Sequence, residues 1–248
     1  RRRIRILGDG KLIYLDNCAT TKPRKEVVDK MIDVLTNDYG NPSSLHRLGF
    51  HAEKKVKEAR EIIANFLEVE SKEIYFTSGG TESNNIAIQS IAKKYSRKGK
   101  HLITTVFEHP SILNVFRHLE QDGFTVTILD VDKNGYIDLD LLSDAIKEDT
   151  ILVSIIHVNN EIGALQNIKG IKDVINKSVA KPILHVDGIQ SFGKVDFSLK
   201  ALGVDTYSFS GHKVYGPKGI GGLYISKELK LNPIVFGGGQ ESGLVLWV

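Results

Sequence analysis

Hydrophobic residues recur along the chain at two different spacings, and the alternation of these spacings predicts the secondary structure. Apolar positions three and four residues apart are typical of amphipathic helices, and they occur at 27–35, 56–66, 81–95, 111–122, 138–147 and 168–178. Short apolar runs typical of buried strands lie at 74–77, 102–105, 125–128, 151–156 and 183–186. Since strands and helices alternate from residue 73 onward, we expect an α/β fold with a mainly parallel sheet and helices on both faces.

The last two predicted strands, at 206–209 and 223–225, are joined by a glycine-rich loop instead of a helix. This connection predicts an antiparallel element, because parallel neighbours need a longer crossover. No repeat or linker interrupts the pattern, so we expect an N-terminal segment at 1–22 and one large domain at 23–243. The chain starts without Met and finishes on an apolar tail, LVLWV at 244–248. We therefore expect a fragment, or a chain whose end has been altered; the alternative is a short edge strand that buries the tail.

Composition narrows the class of protein. The 248 residues include 33 basic and 30 acidic side chains, and a net charge of only +3 argues against nucleic-acid or membrane-surface partners. The single cysteine excludes a disulfide framework and a cysteine-rich zinc site, and it fits a cytoplasmic location. No apolar run reaches the ~18 residues that a membrane helix needs. We predict no metal site.

Two segments imitate known motifs without completing them. The segment 188–194, GIQSFGK, matches a phosphate-binding P-loop, but Val195 stands where Ser or Thr would hold magnesium, and no helical pattern follows. The segment 130–135, DVDKNG, copies half of a calcium loop, but Leu141 occupies the twelfth position, where a bidentate carboxylate is needed. We interpret both segments as turns.

Polar residues that could carry chemistry follow the predicted strands, where ligands bind in open α/β sheets. The first group is the segment 78–85, SGGTESNN, between a strand and a helix. Gly80 permits a close backbone approach, and Thr81 adds a hydroxyl to the free N–H groups of the helix start. This arrangement predicts a phosphate site, although an ordinary helix cap explains it equally well.

Three later loops add groups of other kinds. His109 precedes a predicted helix and can stack on a planar ring or move a proton. Asn160 lies in a polar loop, VNNEIG at 158–163, whose asparagines bind a ligand or only form a turn. Asp187 ends a buried strand, where a carboxylate needs a cationic partner such as a protonated pyridine nitrogen.

Lys213 directly follows a strand in a glycine-rich loop, with Ser210 and His212 beside it. A lysine that is partly desolvated and close to other cations has a lowered pKa and becomes a nucleophile. An exposed surface lysine is the alternative. A phosphate cradle, a stacking His, an Asp for a ring nitrogen and a Lys for an aldehyde together describe the cofactor pyridoxal 5'-phosphate.

These motifs together resemble the class V aminotransferase fold and, within it, cysteine desulfurases of the NifS/IscS type. The resemblance runs in order from about residue 12 to 243, through YLDNCATT at 14–21, NPSS at 41–44, SGGTESNN at 78–85, EH at 108–109, VNNEIG at 158–163, DGIQ at 187–190 and SGHKVYGPKGIGG at 210–222. It implies the large domain of a pyridoxal-phosphate-dependent transferase of fold type I, with the C-terminal small domain missing.

The resemblance also implies a role for each matching residue. Lys213 would be joined covalently to the cofactor aldehyde, and His109 would stack on the ring and assist proton transfer. Asp187 would pair with the ring nitrogen and Gln190 with the ring oxygen. Asn160 would bind near the ring and the substrate carboxylate. The residues implied to bind the phosphate are Gly80, Thr81, Ser210 and His212.

The activity implied is removal of sulfur from L-cysteine, which yields L-alanine and an enzyme persulfide for iron–sulfur cluster or thio-cofactor assembly. The family acts as a homodimer and passes sulfur to an acceptor or scaffold protein. Its sulfur-accepting cysteine and its carboxylate-binding arginine belong to the small domain, so we expect neither here. Cys18 is expected to be a small buried residue and not the nucleophile. Two alternatives stay open: a selenocysteine lyase or related β-lyase, and a non-catalytic remnant that binds the cofactor or heterodimerises.

Overall fold

The computed structural model describes residues 13–234, 236 and 241. Its helices are α1 (Lys25–Asn37), α2 (Arg47–Leu67), α3 (Gly80–Tyr95), α4 (Pro110–Gln121), α5 (Leu139–Ala145), α6 (Ile168–Lys177) and α7 (Leu199–Leu202). Its strands are β1 (Ile74–Thr77), β2 (His101–Thr105), β3 (Thr125–Leu129), β4 (Thr150–Ile156), β5 (Ile183–Asp187), β6 (Thr206–Ser210) and β7 (Gly221–Ile225). The predicted strands and helices are therefore confirmed, with boundaries that move by no more than two residues for every strand.

The seven strands form one sheet in the order β1-β7-β6-β5-β4-β2-β3. The pairs from β3 through β6 are parallel, and β7 runs antiparallel to both of its neighbours. This arrangement confirms the mainly parallel sheet and the antiparallel element predicted after residue 205. Because β2, β3, β4, β5 and β6 run in the same direction, the loops after them meet at one edge of the sheet.

Two apolar clusters cover the two faces of the sheet. One contains buried residues of α2, α5, α6 and α7, and the other is built mainly from α3 and α4. Side chains alternate between faces along a strand, so Leu184 and Val186 enter the first cluster while His185 and Asp187 point to the face that α3 covers. Strand β6 repeats this pattern, with Tyr207 and Phe209 in the first cluster.

The N-terminal part of the described chain lies against the loop after β6. The backbone N–H of Thr21 donates to the carbonyl of His212 at 2.8 Å, and that of Arg24 donates to the carbonyl of Tyr215 at 3.0 Å. The expected boundaries at 1–22, 23–243 and 244–248 stay predictions. The tail at 244–248 and the start at 1–12 lie outside the described residues. Within the described residues, no helix is long and apolar enough to cross a membrane.

Candidate active site

The loop between β1 and α3 depends on two glycines. Gly79 adopts φ +156° and ψ −179°, a conformation that is accessible to glycine but strained for other residues. A Cβ on Gly80 would overlap the side chain of Ile189, which belongs to the turn after β5. These two positions let the N-terminus of α3, with its free N–H groups, approach the edge where Asp187 ends its strand.

Asp187 is buried, with only 1% of its surface exposed. Its Oδ1 accepts the backbone N–H of Ile189 at 3.0 Å, and its Oδ2 accepts the Nδ2 of Asn84 at 2.9 Å. Burial raises the pKa of Asp187, whereas these two donors and the charges of His109 and Lys213 lower it. A cationic ring nitrogen placed here would repay the desolvation cost of the carboxylate.

Lys213 reaches toward the same region from the turn after β6. Its Nζ donates to the carbonyl oxygens of Cys18 at 2.6 Å and Ala19 at 2.9 Å. Burial lowers the pKa of Lys213, while Cys18, Asp187 and Asp16 act in the opposite direction. The side chains of Lys213 and Asp187 are thus close enough for each to shift the pKa of the other. This pairing is what covalent binding of an aldehyde with a basic ring nitrogen requires.

Gln190 and Lys194 form a second link between this turn and the N-terminal segment. The Nε2 of Gln190 donates to the carbonyl of Cys18 at 2.8 Å, and its Oε1 accepts the Nζ of Lys194 at 3.0 Å. Burial, and then the charge of Lys213, lower the pKa of Lys194. The sequence did not predict that Lys194 lies at the candidate site, because its only recognisable pattern there is the incomplete P-loop motif that Lys194 ends.

The expectation that Cys18 is buried is wrong. Its side chain is exposed, with the Sγ 3.6 Å from Oδ1 of Asp16. The backbone carbonyl of Cys18 accepts hydrogen bonds from Lys213 and Gln190, which places Cys18 beside the candidate site. The sequence could not show this, because Lys213 and Gln190 lie more than 170 residues further along the chain.

His109 caps the N-terminus of α4. Its Nδ1 accepts the backbone N–H of Ser111 at 3.1 Å and lies 2.8 Å from the Oγ of Ser111. The following Pro110 occupies the first helical turn, where its missing N–H costs nothing. A cavity of about 450 Å³ opens beside the ring, and Thr81 also lines it. The structure therefore brings His109 and Thr81 to one opening.

The residues expected to hold a phosphate also lie near one another. A Cβ on Gly221 would overlap Gly79, and Gly221 pairs with Ser210 in the sheet, so the α3 loop passes the end of β6. The Oγ of Ser210 is buried and has no hydrogen-bond partner among the described residues. An orphaned buried hydroxyl, a helix N-terminus and nearby lysines fit a phosphate.

His212 borders this phosphate region. Its Nδ1 lies 3.1 Å from Oγ1 of Thr20. Burial lowers the pKa of His212, and so do the charges of Lys213, Lys218 and Lys194. The accumulated positive charge around His212 suits an anionic ligand group.

The two asparagines after β4 have different surroundings. Asn159 is buried and structural: its Oδ1 accepts the N–H groups of Glu161 and Ile162, and its Nδ2 donates to the carbonyl of Phe107. Asn160 is half-buried, and no side-chain hydrogen bond to it occurs within the described part of the chain. The amide of Asn160 is therefore available to a ligand, whereas the turn explains Asn159.

Both motif-like segments are turns, as predicted. Gly188 is needed because a Cβ there would overlap the ring of Tyr207, and Gly193 has φ +68°. No helix begins at Lys194. The Oδ1 of Asp132 accepts the N–H groups of Asn134 and Tyr136, which closes the second turn.

Residues 13–244 match the sequence profile of the aminotransferase class-V family. The chain is similar to the cysteine desulfurase IscS of Colwellia psychrerythraea, with 48% identity over 237 residues that cover 94% of this chain and 58% of the relative. The IscS of Haemophilus ducreyi is also 48% identical, with the same coverage. The chain thus spans about 58% of the length of these curated relatives.

Solved structures give the same result for the fold. A protein described as NifS-like superposes with a TM-score of 0.92 at 40% identity, covering 94% of this chain and 64% of its own. A structure described as SspA in complex with cysteine superposes with a TM-score of 0.89 at 42% identity, covering 93% and 67%. The expected transferase fold of type I is therefore confirmed for the described residues. By sequence profile and by structure, this chain belongs to the aminotransferase class-V family.

Proposed function

We propose that this chain is the cofactor-binding part of a cysteine desulfurase, which converts L-cysteine into L-alanine and an enzyme persulfide. The observation that carries the proposal is the joint placement of a partly desolvated Lys213 and a buried Asp187 beside His109. Pyridoxal 5'-phosphate is the cofactor of the family, and these residues fit its aldehyde and its ring nitrogen. The similarity to relatives named as cysteine desulfurases supports the choice of substrate.

The residues around the site divide the work of holding the cofactor. Lys213 supplies the amine for the covalent bond, and Asp187 accepts a hydrogen bond from the protonated ring nitrogen. Gln190 contacts the ring oxygen, and Asn160 binds the substrate carboxylate near the ring. The phosphate is held by Gly80, Thr81, Ser210 and His212. When bound, the cofactor supplies an electron sink that stabilises negative charge on the substrate.

His109 and Lys213 move the protons of the reaction. The Nδ1 of His109 is occupied by the N–H of Ser111, which leaves Nε2 as the ring atom that exchanges a proton. Because burial lowers the pKa of Lys213, its amine, when free, would act as a base toward the substrate. The N-terminal segment holds the Nζ of Lys213 and the Nε2 of Gln190 through the backbone carbonyl of Cys18.

The remaining steps involve partners. We propose that the thiol that accepts sulfur belongs to the region of the full-length relatives that this chain does not match, and that Cys18 is not that thiol. The assembly is proposed to be a homodimer in the cytoplasm. It would pass sulfur to an acceptor or iron–sulfur scaffold protein.

Absorbance tests the cofactor assignment directly. Added pyridoxal phosphate should give the chain an imine absorbance band that Lys213→Ala removes. The control Lys200→Ala changes an exposed lysine on α7 and should keep the band. If Lys213→Ala keeps the band, another amine binds the aldehyde and the proposed role of Lys213 is wrong.

Product analysis tests the reaction class. The cofactor-loaded chain is incubated with L-cysteine or L-selenocysteine and a small-molecule thiol that can accept sulfur. A desulfurase should release alanine and sulfide from L-cysteine. Alanine from selenocysteine alone would identify a selenocysteine lyase, and pyruvate with ammonia would identify a β-eliminating lyase. Cofactor binding without any product would favour the non-catalytic alternative.

A further inference from the structure

The polar groups beneath the candidate site converge on one side chain, that of Asn84 on α3. Asn84 is fully buried, and both ends of its amide are used. Its Nδ2 donates to Oδ2 of Asp187 and to Oγ of Ser111, each at 2.9 Å. Its Oδ1 accepts the Oγ–H of Ser208 at 2.5 Å and the Nε2 of His185 at 3.1 Å. Neither motif reasoning nor the family resemblance assigned a role to this residue.

The partners determine which way the amide of Asn84 faces. The ionised carboxylate of Asp187 can only accept hydrogen bonds, so the NH₂ group must face it. The carbonyl oxygen then faces His185, whose Nε2 must donate. Burial lowers the pKa of His185 to about 3, which keeps the ring neutral, and its Nδ1 lies 2.9 Å from Oγ1 of Thr206. Every member of the network therefore has a defined donor direction.

The same amide sets the direction of the hydrogen bonds that reach His109. Ser111 accepts a hydrogen from Asn84 at its Oγ, so its own hydroxyl hydrogen is directed toward Nδ1 of His109, 2.8 Å away. The backbone N–H of Ser111 donates to the same nitrogen. With two donors at Nδ1, the proton of the neutral ring resides on Nε2.

We propose that Asn84 is a positioning residue that couples Asp187 to His109, so that one amide orients both the partner of the ring nitrogen and the imidazole that stacks on the ring. The coupling spans three parts of the fold, because Asn84 lies 103 residues from Asp187 and 27 residues from Ser111. The inference rests on the proposed cofactor site but not on the choice of amino-acid substrate.

The first test measures the affinity of the chain for pyridoxal phosphate as a function of pH. In Asn84→Ala, Asp187 loses one of its two donors while it stays buried, so it should bind a proton at a higher pH. The dissociation constant should rise about 10-fold near neutral pH, the size expected for a lost hydrogen bond to a charged group. The midpoint of its acid-side pH profile should also shift upward by roughly one unit.

Ser90→Ala is the matched control, because Ser90 is a buried serine of the same helix whose Oγ has no partner among the described residues. It should leave both the affinity and the pH profile unchanged. A pH profile of Asn84→Ala that superimposes on that of the unsubstituted chain would overturn the proposal, even if its affinity falls. Loss of the imine band in Lys213→Ala tests the cofactor site separately, so the two failures are distinguishable.

The second test keeps the proposal falsifiable if Asn84→Ala does not fold. Ser111→Ala breaks only the branch to His109 and leaves both donors to Asp187 in place. In the unloaded chain, the ¹⁵N resonance of Nδ1 in His109 should move because it loses a hydrogen-bond donor, while the cofactor pH profile keeps its midpoint. An unchanged Nδ1 resonance would contradict the hydrogen bond from Ser111 to His109. A shifted midpoint would contradict the statement that Ser111 leaves Asp187 unaffected.

Discussion

The side chain of Glu108 is buried beside the candidate site, and its raised pKa keeps the carboxyl group neutral at pH 7. Its Oε1 accepts the Oγ1–H of Thr105 at 2.7 Å and the backbone N–H of Ile156 at 2.8 Å. Its Oε2 is buried without a partner among the described residues. Burial is the main cause that raises its pKa to about 8, and the nearby charge of Asp187 adds to the effect.

The pH dependence of unfolding tests this protonation state. The folded chain holds the proton of Glu108 up to about pH 8, whereas the unfolded chain releases it near its ordinary pKa of 4.5. The contribution of Glu108 to the free energy of unfolding is therefore complete below pH 4.5. It is lost as pH rises from there to about pH 8, by up to about 1.4 kcal/mol per pH unit. Glu108→Gln keeps both accepted hydrogen bonds and should remove that slope in urea unfolding. Glu120→Gln, on the exposed face of α4, should retain it.

The positions of Asp187, Lys213 and His109 at or after the ends of predicted strands were enough to predict that these three residues are neighbours. Glu108 was recognised only as part of a motif, and Asn84 only as part of a loop. Their importance comes from buried partners that are distant in sequence. A list of residue types carries no information on which polar groups will be desolvated together.

At the scale of the element, α1 differs from every other long helix of the described chain because it has no buried residue. Ile32 is 56% exposed, whereas Ile91 on α3 is fully buried. We expect Ile32→Ala to change the free energy of unfolding by no more than ~0.5 kcal/mol. Ile91→Ala should cost ~2–5 kcal/mol, because it leaves a cavity in a packed core. Equal losses in urea unfolding would show that α1 is packed against the domain.

The turn after β5 provides a second test at this scale. The Cβ added by Gly188→Ala would overlap the ring of Tyr207. That ring is buried, and its hydroxyl is hydrogen-bonded to the Oγ of Ser191. We expect destabilisation of at least ~2 kcal/mol, since the core cannot yield to overpacking. Gly163→Ala is the control: its φ of +74° is strained, but no atom lies within 4 Å of the added Cβ. A smaller loss at 188 than at 163 in thermal unfolding would contradict this packing.

For the whole molecule, buried titratable groups of opposite behaviour predict a stability maximum near pH 6.5. Burial lowers the pKa of His157 to about 4 and that of His185 to about 3. Their stabilising effect is present above pH 6.5, the ordinary value, and is lost as pH falls toward those values. Above that pH, the loss from Glu108 takes over and continues to about pH 8.

Urea unfolding of the unloaded chain from about pH 4 to pH 9 measures this maximum. Glu108→Gln should flatten the alkaline side and steepen the acid side above about pH 4.5, where the loss from Glu108 otherwise opposes the gain from the histidines. His118→Gln, an exposed histidine on α4, should move neither side. A maximum above pH 8 would mean that Glu108 does not hold its proton in the folded chain, and a maximum below about pH 4.5 would mean that the buried histidines are not neutral in the fold.

The sequence by itself determined the order of strands and helices along the chain, the mainly parallel sheet, and the loops that carry polar groups. These features follow from preferences that act within a few residues: apolar periodicity, glycine at turns and helix starts after strands. Only the tertiary structure decided that Asn84 joins Asp187 to Ser111, that Glu108 is desolvated, and that Cys18 is exposed beside two lysines. The physical reason is that hydrogen bonding and desolvation depend on which distant segments pack together, and packing is a property of the whole chain.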